Sequence, residues 1–383
     1  MIIVPRQYQD DAANIAKVFF HGPARNPVFI VIPSGGGKSV VIAETVRETD
    51  GVTLVLQPSV EILEQNYEKY TSMGFRAGIY SDSAGHRYID RVTFATIGSI
   101  YNKPHLFRGL KNIITDECHW VKYGGMYTKF FACFPNAKNL GLTASPYRME
   151  PNRDGAILEF LNRPRYKTFH SLVYYVQNET LFDAGYLSKI EYADNNAIDR
   201  SKLVMNDSGT DFTDGSIRAM ARSIDLPRIA AQKANELLEE RKNLLAFCSL
   251  VSEAEALSKK IPGSKVITGD TDKTLRRKIL RAFKEGDIKA IVNCQTLLTG
   301  YDYPELETVL DASPTMSLSR FYQKVGRISR IHPNKKDSLY ADLVGNHQFF
   351  GDIQTMRIRA DWQGHYDIWN GNKRLTGVNF KIK

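Results

Sequence analysis

Apolar and polar positions along this chain alternate in two rhythms. Short unbroken apolar runs, such as Val-Phe-Ile-Val-Ile at residues 28–32 and Val-Thr-Leu-Val-Leu at 52–56, are too short for helices and rich in β-branched side chains. They predict strands buried on both faces. Between them lie stretches with apolar residues three or four apart, which predict amphipathic helices. Strand and helix in alternation predict an α/β fold with parallel sheets. The predicted strands are 28–32, 52–56, 91–95, 112–115 and 140–142 in the first half, and 244–248, 266–267, 290–292 and 308–310 in the second. A helix opening at residues 5–9 should turn Ile15, Val18 and Phe19 inward and end at Gly22-Pro23. Pro227 suits the first turn of a helix over 227–240, and Ser252-x-x-Glu255 reads as a capping box. Patterning weakens over 147–187, and residues 194–216, rich in Asp, Asn, Ser and Gly, read as an exposed insertion. The expected division is a first domain over 1–188, a second over 189–346 and a short tail over 347–383.

Chemistry first enters at residues 32–39, Ile-Pro-Ser-Gly-Gly-Gly-Lys-Ser. Three glycines free the backbone to turn its N–H groups inward, and the helix expected after them aims its positive dipole end at the same point. Ser34, Gly35, Gly36, Gly37, Lys38 and Ser39 thus form a candidate phosphate cradle. The full phosphate-loop pattern has a glycine where this chain has Ile32, so a plain Gly-rich turn competes with that reading. The strand over 112–115 runs into Asp116-Glu117-Cys118-His119. Two adjacent carboxylates at the end of a buried strand are costly unless they hold a cation or a water. Beside a phosphate cradle, Asp116 is expected to hold Mg²⁺ together with Ser39, and Glu117 to orient and deprotonate an attacking water. A carboxylate pair capping the next helix is the alternative.

Other positions are ambiguous taken singly. Arg6 and Gln9 could hydrogen-bond an adenine edge or form a solvated first turn. Thr96, Gly98 and Ser99 follow a strand at the edge where such folds bind ligands, yet hydroxyls there also cap helices. Thr143-Ala144-Ser145-Pro146 either reaches toward the site or shapes a turn. Arg327 and Arg330 are three apart, so on a helix both guanidinium groups would leave one face and could stabilise charge at a γ-phosphate; a solvated basic turn is the alternative. In the tail, Trp362, Tyr366 and Trp369 are interleaved with Arg357, Arg359, Lys373, Arg374, Lys381 and Lys383, a pattern that suits base stacking or a closing element packed on the second domain.

Composition narrows the class. Apolar residues make up 43% of the 383 and charged residues 24%, as in a globular protein, and the formal net charge of +9 suits a polyanionic partner. Cys118, Cys133, Cys248 and Cys294 are widely separated and form no C-x-x-C pair, which excludes a zinc ribbon and suits a reducing cytoplasm. No apolar run approaches the roughly 20 residues that span a bilayer, so no membrane partner is expected.

With these elements in this order, the chain resembles the superfamily 2 helicases and translocases of the DExH type over nearly its whole length. Lys38-Ser39 looks like the end of their first motif and Asp116-Glu117-Cys118-His119 like their second. Arg6 and Gln9 match the adenine-reading motif, and Thr143-Ala144-Ser145 the motif that couples hydrolysis to domain movement. Thr299-Gly300-Tyr301-Asp302 and Gln323-x-x-Gly326-Arg327-x-x-Arg330 match the fifth and sixth. Pro58, Ser59, Thr96, Gly98 and Ser99 match elements that touch the nucleic-acid backbone. The likeness runs to the RadD-like bacterial DNA-repair helicases, and more loosely to phage branch-migrating helicases, through Thr268-Gly269-Asp270-Thr271 and the stretches 313–330 and 342–346. It departs from them at Ile328-Ser329, where Gly-Leu is usual, and in having no cysteine after Cys294.

The resemblance implies two tandem RecA-like domains, each a mostly parallel sheet flanked by helices, with ATP and Mg²⁺ in the cleft between them. The first would supply the cradle, Asp116 and Glu117; the second, Gly300, Asp302, Gln323, Arg327 and Arg330. Nucleic acid would contact Pro58, Ser59, Thr96, Gly98, Ser99, Thr268 and Gly269. An ATP-dependent DNA helicase or translocase is implied, acting on single-stranded, forked or branched DNA in the cytoplasm of a bacterium or a phage-infected host. An RNA helicase, or the motor of a restriction or nuclease complex that needs a partner subunit, are the alternatives. A silent binding module is disfavoured by the intact Lys38, Asp116, Glu117, Arg327 and Arg330.

Overall fold

Residues 4–153, 155–298 and 302–381 are described by a computed structural model of the chain, without the side chains of 379–381. Each apolar run read as a strand is one. In the first sheet the order is Ser171–Tyr175, Val28–Val31, Lys138–Thr143, Leu110–Thr115, Val52–Gln57, Val92–Thr96, Gly78–Ser81 and His86–Tyr88. All neighbours are parallel except the last pair. In the second sheet Ile190–Asp194, Ser338–Asp342, Thr308–Ala312, Leu244–Cys248, Ala290–Cys294 and Lys265–Ile267 are parallel throughout. Two α/β sheets with mostly parallel strands, as expected of tandem RecA-like domains, are therefore present. The chain groups into two units, 1–148 with 159–177 and 360–366, and 149–158 with 178–359 and 367–383.

Register does the positioning in the first unit. Val31 lies beside Thr143 and Leu56 beside Thr115, so the loops after these strands leave one edge of the sheet together. That is the edge at which open α/β sheets bind ligands. Gly141 allows the close approach beneath it, since a Cβ there would meet Cys118 Cβ and Sγ at 2.7 Å.

Several local expectations need correction. Helix Gln7–His21 buries Tyr8, Ala12, Ala16 and Phe19, whereas Val18 is exposed and Ile15 half-buried. The alanines set the inner face, because positions 8, 12, 16 and 19 follow the helical period while 18 falls outside that stripe. Helix Val251–Ser258 is capped by Glu253, whose Oε2 accepts from the Leu250 N–H at 3.3 Å, not by a Ser252–Glu255 box. The stretch 194–216 is anchored rather than loose. Arg200 donates to the Val344 and Thr315 carbonyls at 3.0 and 2.9 Å, and Leu203 is buried.

Strand Ser338–Asp342 escaped the apolar-run criterion because polar residues bound it. Ser338 Oγ donates to the Ile328 carbonyl at 2.6 Å, and Asp342 accepts N–H groups of Val344 and His347 at 2.9 and 2.6 Å. At the centre of this unit Lys324, 2% exposed, donates to both oxygens of Asp311 at 2.8 and 3.0 Å and to the Ser313 carbonyl at 2.6 Å. Tyr340 and Asn346 donate to the same carboxylate, so every charge in this buried cluster is paired.

Glu253 supplies a test of the second unit. Its carboxyl borders a small cavity lined by Leu226, Pro227, Ala230, Cys248 and Leu257, and burial pushes it up to about 7. The unfolded chain ionises it near the ordinary value of about 4.3. Ionisation is thus disfavoured in the fold, and the cost is absent at low pH, grows as pH rises from about 4 and levels off above about 7. Glu253→Gln is expected to raise Tm by a few degrees at pH 8 and to change it little at pH 5. An equal fall at both values would show that the Leu250 hydrogen bond dominates.

Candidate nucleotide-binding site

After the strand Val28–Val31 the backbone turns through Gly35 and Gly37, at φ +79° and +78°, conformations that glycine adopts without cost. At Gly37 a Cβ would also lie 2.4 Å from Gln9 Nε2. Gly37 caps helix Lys38–Arg47, so the open N–H groups of its first turn face the loop formed by Ser34 to Gly37. Gln9 meets this loop from the first helix. Its Nε2 donates to the Gly36 carbonyl at 2.9 Å, Tyr8 OH donates to the same oxygen at 2.8 Å, and Gln9 Oε1 accepts from the Arg6 N–H at 2.9 Å. Both predicted adenine readers therefore stand beside the cradle.

Lys38 Nζ lies 2.9 Å from Glu117 Oε1, which joins the cradle to the acidic pair. Asp116 is 3% exposed; Oδ1 accepts the Glu117 N–H at 2.9 Å and Oδ2 the amide of Asn66 at 3.0 Å. Burial, reinforced by the neighbouring Glu117 charge, pushes Asp116 up to about 6. Burial would raise Glu117 as well, but Lys38 and His119 outweigh it and hold that carboxyl well below the usual carboxylate range. Glu117 sits at φ +48°, uncommon for a residue with a side chain, and the next residues form the short turn Cys118–Trp120. His119 Nδ1 is 3.3 Å from Glu117 Oε2 and 2.8 Å from Thr143 Oγ1, which in turn accepts the Ser145 N–H at 3.0 Å. Thr143 thus reaches the acidic pair through a histidine, while the Ser145 N–H shapes the turn by bonding back to the same hydroxyl. Asn66 was not singled out from the sequence, and no short-range signal marks it.

The remaining candidates divide. Ser39 is half-buried in the first turn of its helix. Ser59 caps helix Val60–Ser72 and accepts from the Ile62 N–H at 3.4 Å; Pro58 precedes it. Thr96 and Ser99 are buried, 2.9 Å apart through their hydroxyls, and hydrogen-bonded to Ser81 and to the Asp82 N–H, while Gly98 is exposed. The Thr268 N–H donates to Thr271 Oγ1 at 2.9 Å, and Gly269 is exposed. Gly300 lies outside the described residues.

The two arginines do not share a helix. Helix Leu318–Gly326 ends before Arg327, whose N–H closes the last turn onto Lys324 and Val325 carbonyls. The carbonyls of Ile328 and Arg330 are taken by Lys335, which stops the helix from propagating. Gln323 is buried on that helix, and its carbonyl accepts from Arg327 Nε at 3.4 Å. Arg330 pairs with Asp302, and burial lowers it to about 10, so it stays charged at neutral pH.

Comparison with known families agrees with this geometry. Residues 2–148 match the model of the type III restriction enzyme res subunit, and residues 229–332 that of the helicase conserved C-terminal domain. The chain is a superfamily 2 helicase. As such it is an ATP-hydrolysing enzyme. It is similar to a 51.5 kDa protein of a Lactococcus phage, at 27% identity over 88% of this chain and 69% of that protein. It is also similar to the DNA 3'-5' translocase XPB2 of Sulfurisphaera tokodaii, at 26% identity over 82% of this chain and 77% of the relative. In fold, the helicase resembles a fragment of a putative HsdR subunit of a type I restriction enzyme from Vibrio vulnificus, with a TM-score of 0.66 at 21% identity over 92% of this chain and 66% of that one. Among the described residues of the helicase, no helix is long and apolar enough to cross a membrane.

Proposed function

We propose that this helicase couples ATP hydrolysis to movement along DNA, with single-stranded, forked or branched DNA as its substrate. The observation that carries the reading is the 2.9 Å contact between Lys38 and Glu117, which joins a phosphate cradle to a carboxylate suited to activating water. The translocase named in Sulfurisphaera tokodaii supports DNA as the track. The sequence Asp116-Glu117-Cys118-His119 supports the DExH type, and the stretches 268–271 and 313–330 support kinship with the RadD-like group. A cytoplasmic setting, in a bacterium or a phage-infected host, goes with that reading.

In this mechanism the loop of residues 34–38 holds the β- and γ-phosphates of ATP through backbone N–H groups, that of Gly36 exchanging its 2.9 Å bond to the Pro33 carbonyl for phosphate. Lys38 swings its charge from Glu117 onto the γ-phosphate as ATP arrives. Glu117, released, orients the attacking water and accepts its proton. Asp116 and Ser39 offer hard oxygen donors beside the phosphates. The fit to Mg²⁺ rests on Asp116, a buried carboxylate that shares one lysine with a second carboxylate and so is short of compensating positive charge. When bound there, the ion would neutralise phosphate charge. Arg327 and Arg330 supply positive charge to the transferring phosphoryl group, and His119 carries the state of Glu117 to Thr143 and Ser145. Pro58, Ser59, Gly98, Thr268 and Gly269 present backbone to nucleic-acid phosphates. Thr96 and Ser99 act through backbone groups, since their hydroxyls are engaged internally.

The test is ATP hydrolysis without nucleic acid and then with single-stranded, duplex, forked and four-way DNA and with single-stranded RNA. Stimulation of tenfold or more by single-stranded or branched DNA, and little by RNA, is expected. Stimulation by RNA alone would replace DNA with RNA as the track, and no hydrolysis under any condition would point to a required partner subunit.

A further inference from the structure

Two stretches of the first unit carry exposed aromatic rings that the ATP site does not use. In the loop after the acidic motif, Tyr123 is 64% exposed, and in the segment following Phe160, Tyr166 is 57% exposed. The two rings stack on each other with centroids 5.2 Å apart and planes 30° apart, and the Arg165 guanidinium lies 5.4 Å from the centre of Tyr166. Trp362, in the turn between strands Met356–Ala360 and Tyr366–Asn370, is 91% exposed, more than any other large apolar side chain described.

That turn is held in shape. Asp361 accepts N–H groups of Gln363 and His365 at 2.9 and 2.8 Å, its own N–H donates to the His365 carbonyl at 2.7 Å, and Gly364 takes φ +77°. Arg163 ties it to the segment that bears Tyr166, lying 3.4 Å from Asp361 Oδ2 and donating to the Tyr366 carbonyl at 3.2 Å. Tyr366 in turn stacks on Phe160 at 5.9 Å. An indole fixed in water by an ordered turn gains nothing for the fold, because its surface is not buried. The flanking stretches 120–125 and 163–167 contain Lys122, Arg163, Arg165 and Lys167 and no acidic residue. Flat, exposed rings flanked by cationic side chains match the chemistry of unpaired nucleobases on a phosphate backbone.

We propose that Tyr123, Tyr166 and Trp362 form a stacking platform for unpaired bases, a second nucleic-acid contact of the first unit beyond the helicase motifs. The proposal rests on the reading of this chain as a nucleic-acid motor. It is tested in the full chain with Trp120 and Trp369 replaced by phenylalanine, which leaves Trp362 as the one tryptophan of the three. Titration with a short oligo-dT is expected to quench its emission, whereas a blunt duplex leaves it unchanged. In the otherwise native chain, Trp362→Ala combined with Tyr166→Ala should weaken oligo-dT binding about tenfold or more, and Tyr166→Phe should restore most of the loss from Tyr166→Ala. Blunt-duplex affinity and ATP hydrolysis without nucleic acid should stay within twofold of the native chain. If native protein binds oligo-dT while Trp362 shows no quenching and the double variant binds equally well, the platform is refuted and the motor reading stands. If native protein binds neither oligo-dT nor duplex, both fall together.

Discussion

Lys38→Ala is expected to lower kcat for ATP hydrolysis by about a thousandfold while leaving DNA affinity within a fewfold of the native value. The lysine joins the two parts of the candidate site, with its ammonium 2.9 Å from Glu117 and its backbone in the helix turn after the glycines. Under the proposed mechanism, removing it takes a positive charge from the γ-phosphate and leaves Glu117 without its lysine partner. The side chains of this pair are only 15% and 12% exposed, so the loss should also register as lower stability. Lys38→Met, which keeps the stem and loses the charge, separates the two effects. Phosphate release and a thermal melt on each variant make the check, and native hydrolysis by a folded Lys38→Met protein would sink the site assignment.

The second large effect is expected at Arg330. Arg330→Ala should reduce kcat by about a hundredfold or more while KM for ATP moves by less than about threefold, as befits a charge that acts on the transition state more than on bound ATP. Its partner Asp302 has a 41% exposed side chain, so truncation leaves no buried charge behind, and Tm should hold within about 2 °C. Arg330→Lys should recover little, because an ammonium lacks the planar fork that spans two phosphate oxygens. Equal losses in kcat and in ATP affinity would instead mean that Arg330 grips the ground state.

What could be read from the sequence, and what could not, follows the range of the forces involved. The strands at 28–31 and 244–248 were legible because a buried parallel strand needs nothing but apolar side chains, and those are contiguous. The glycine turn was legible because its requirement for positive φ is met within four residues. The acidic pair was legible because two carboxylates at a buried strand end have few purposes. Asn66 was not, since its hydrogen bond to Asp116 spans 50 positions and an asparagine on a helix has many. The link from His119 to Thr143 likewise exists only once two neighbouring strands stand in register. Whether Arg327 and Arg330 shared a helix could not be read locally, because the terminator of helix Leu318–Gly326 is remote. Lys335 and Ser338 take the Ile328 carbonyl from beyond the window in which helical periodicity is judged. Val18 was misplaced for the opposite reason, a bulky residue being favoured over the alanines that pack closest.

The cluster around Asp311 ties helix Leu318–Gly326 to the second sheet. Helix Leu318–Gly326 cannot fray alone, because lifting it would pull Lys324 from its three hydrogen bonds and strand a carboxylate that is 0% exposed, at a cost of about 3–5 kcal/mol. Tyr340 and Asn346 fasten the same carboxylate to the adjoining strand and the helix after it. Amide protons along residues 321–326 should therefore exchange with solvent only when the second sheet opens as a whole, among the slowest in the chain. Arg327 and Arg330, carried just past that helix, then have no swinging arm of their own. Any backbone displacement of the two arginines is therefore shared with the sheet behind them, and would register there as faster amide exchange rather than in the helix alone.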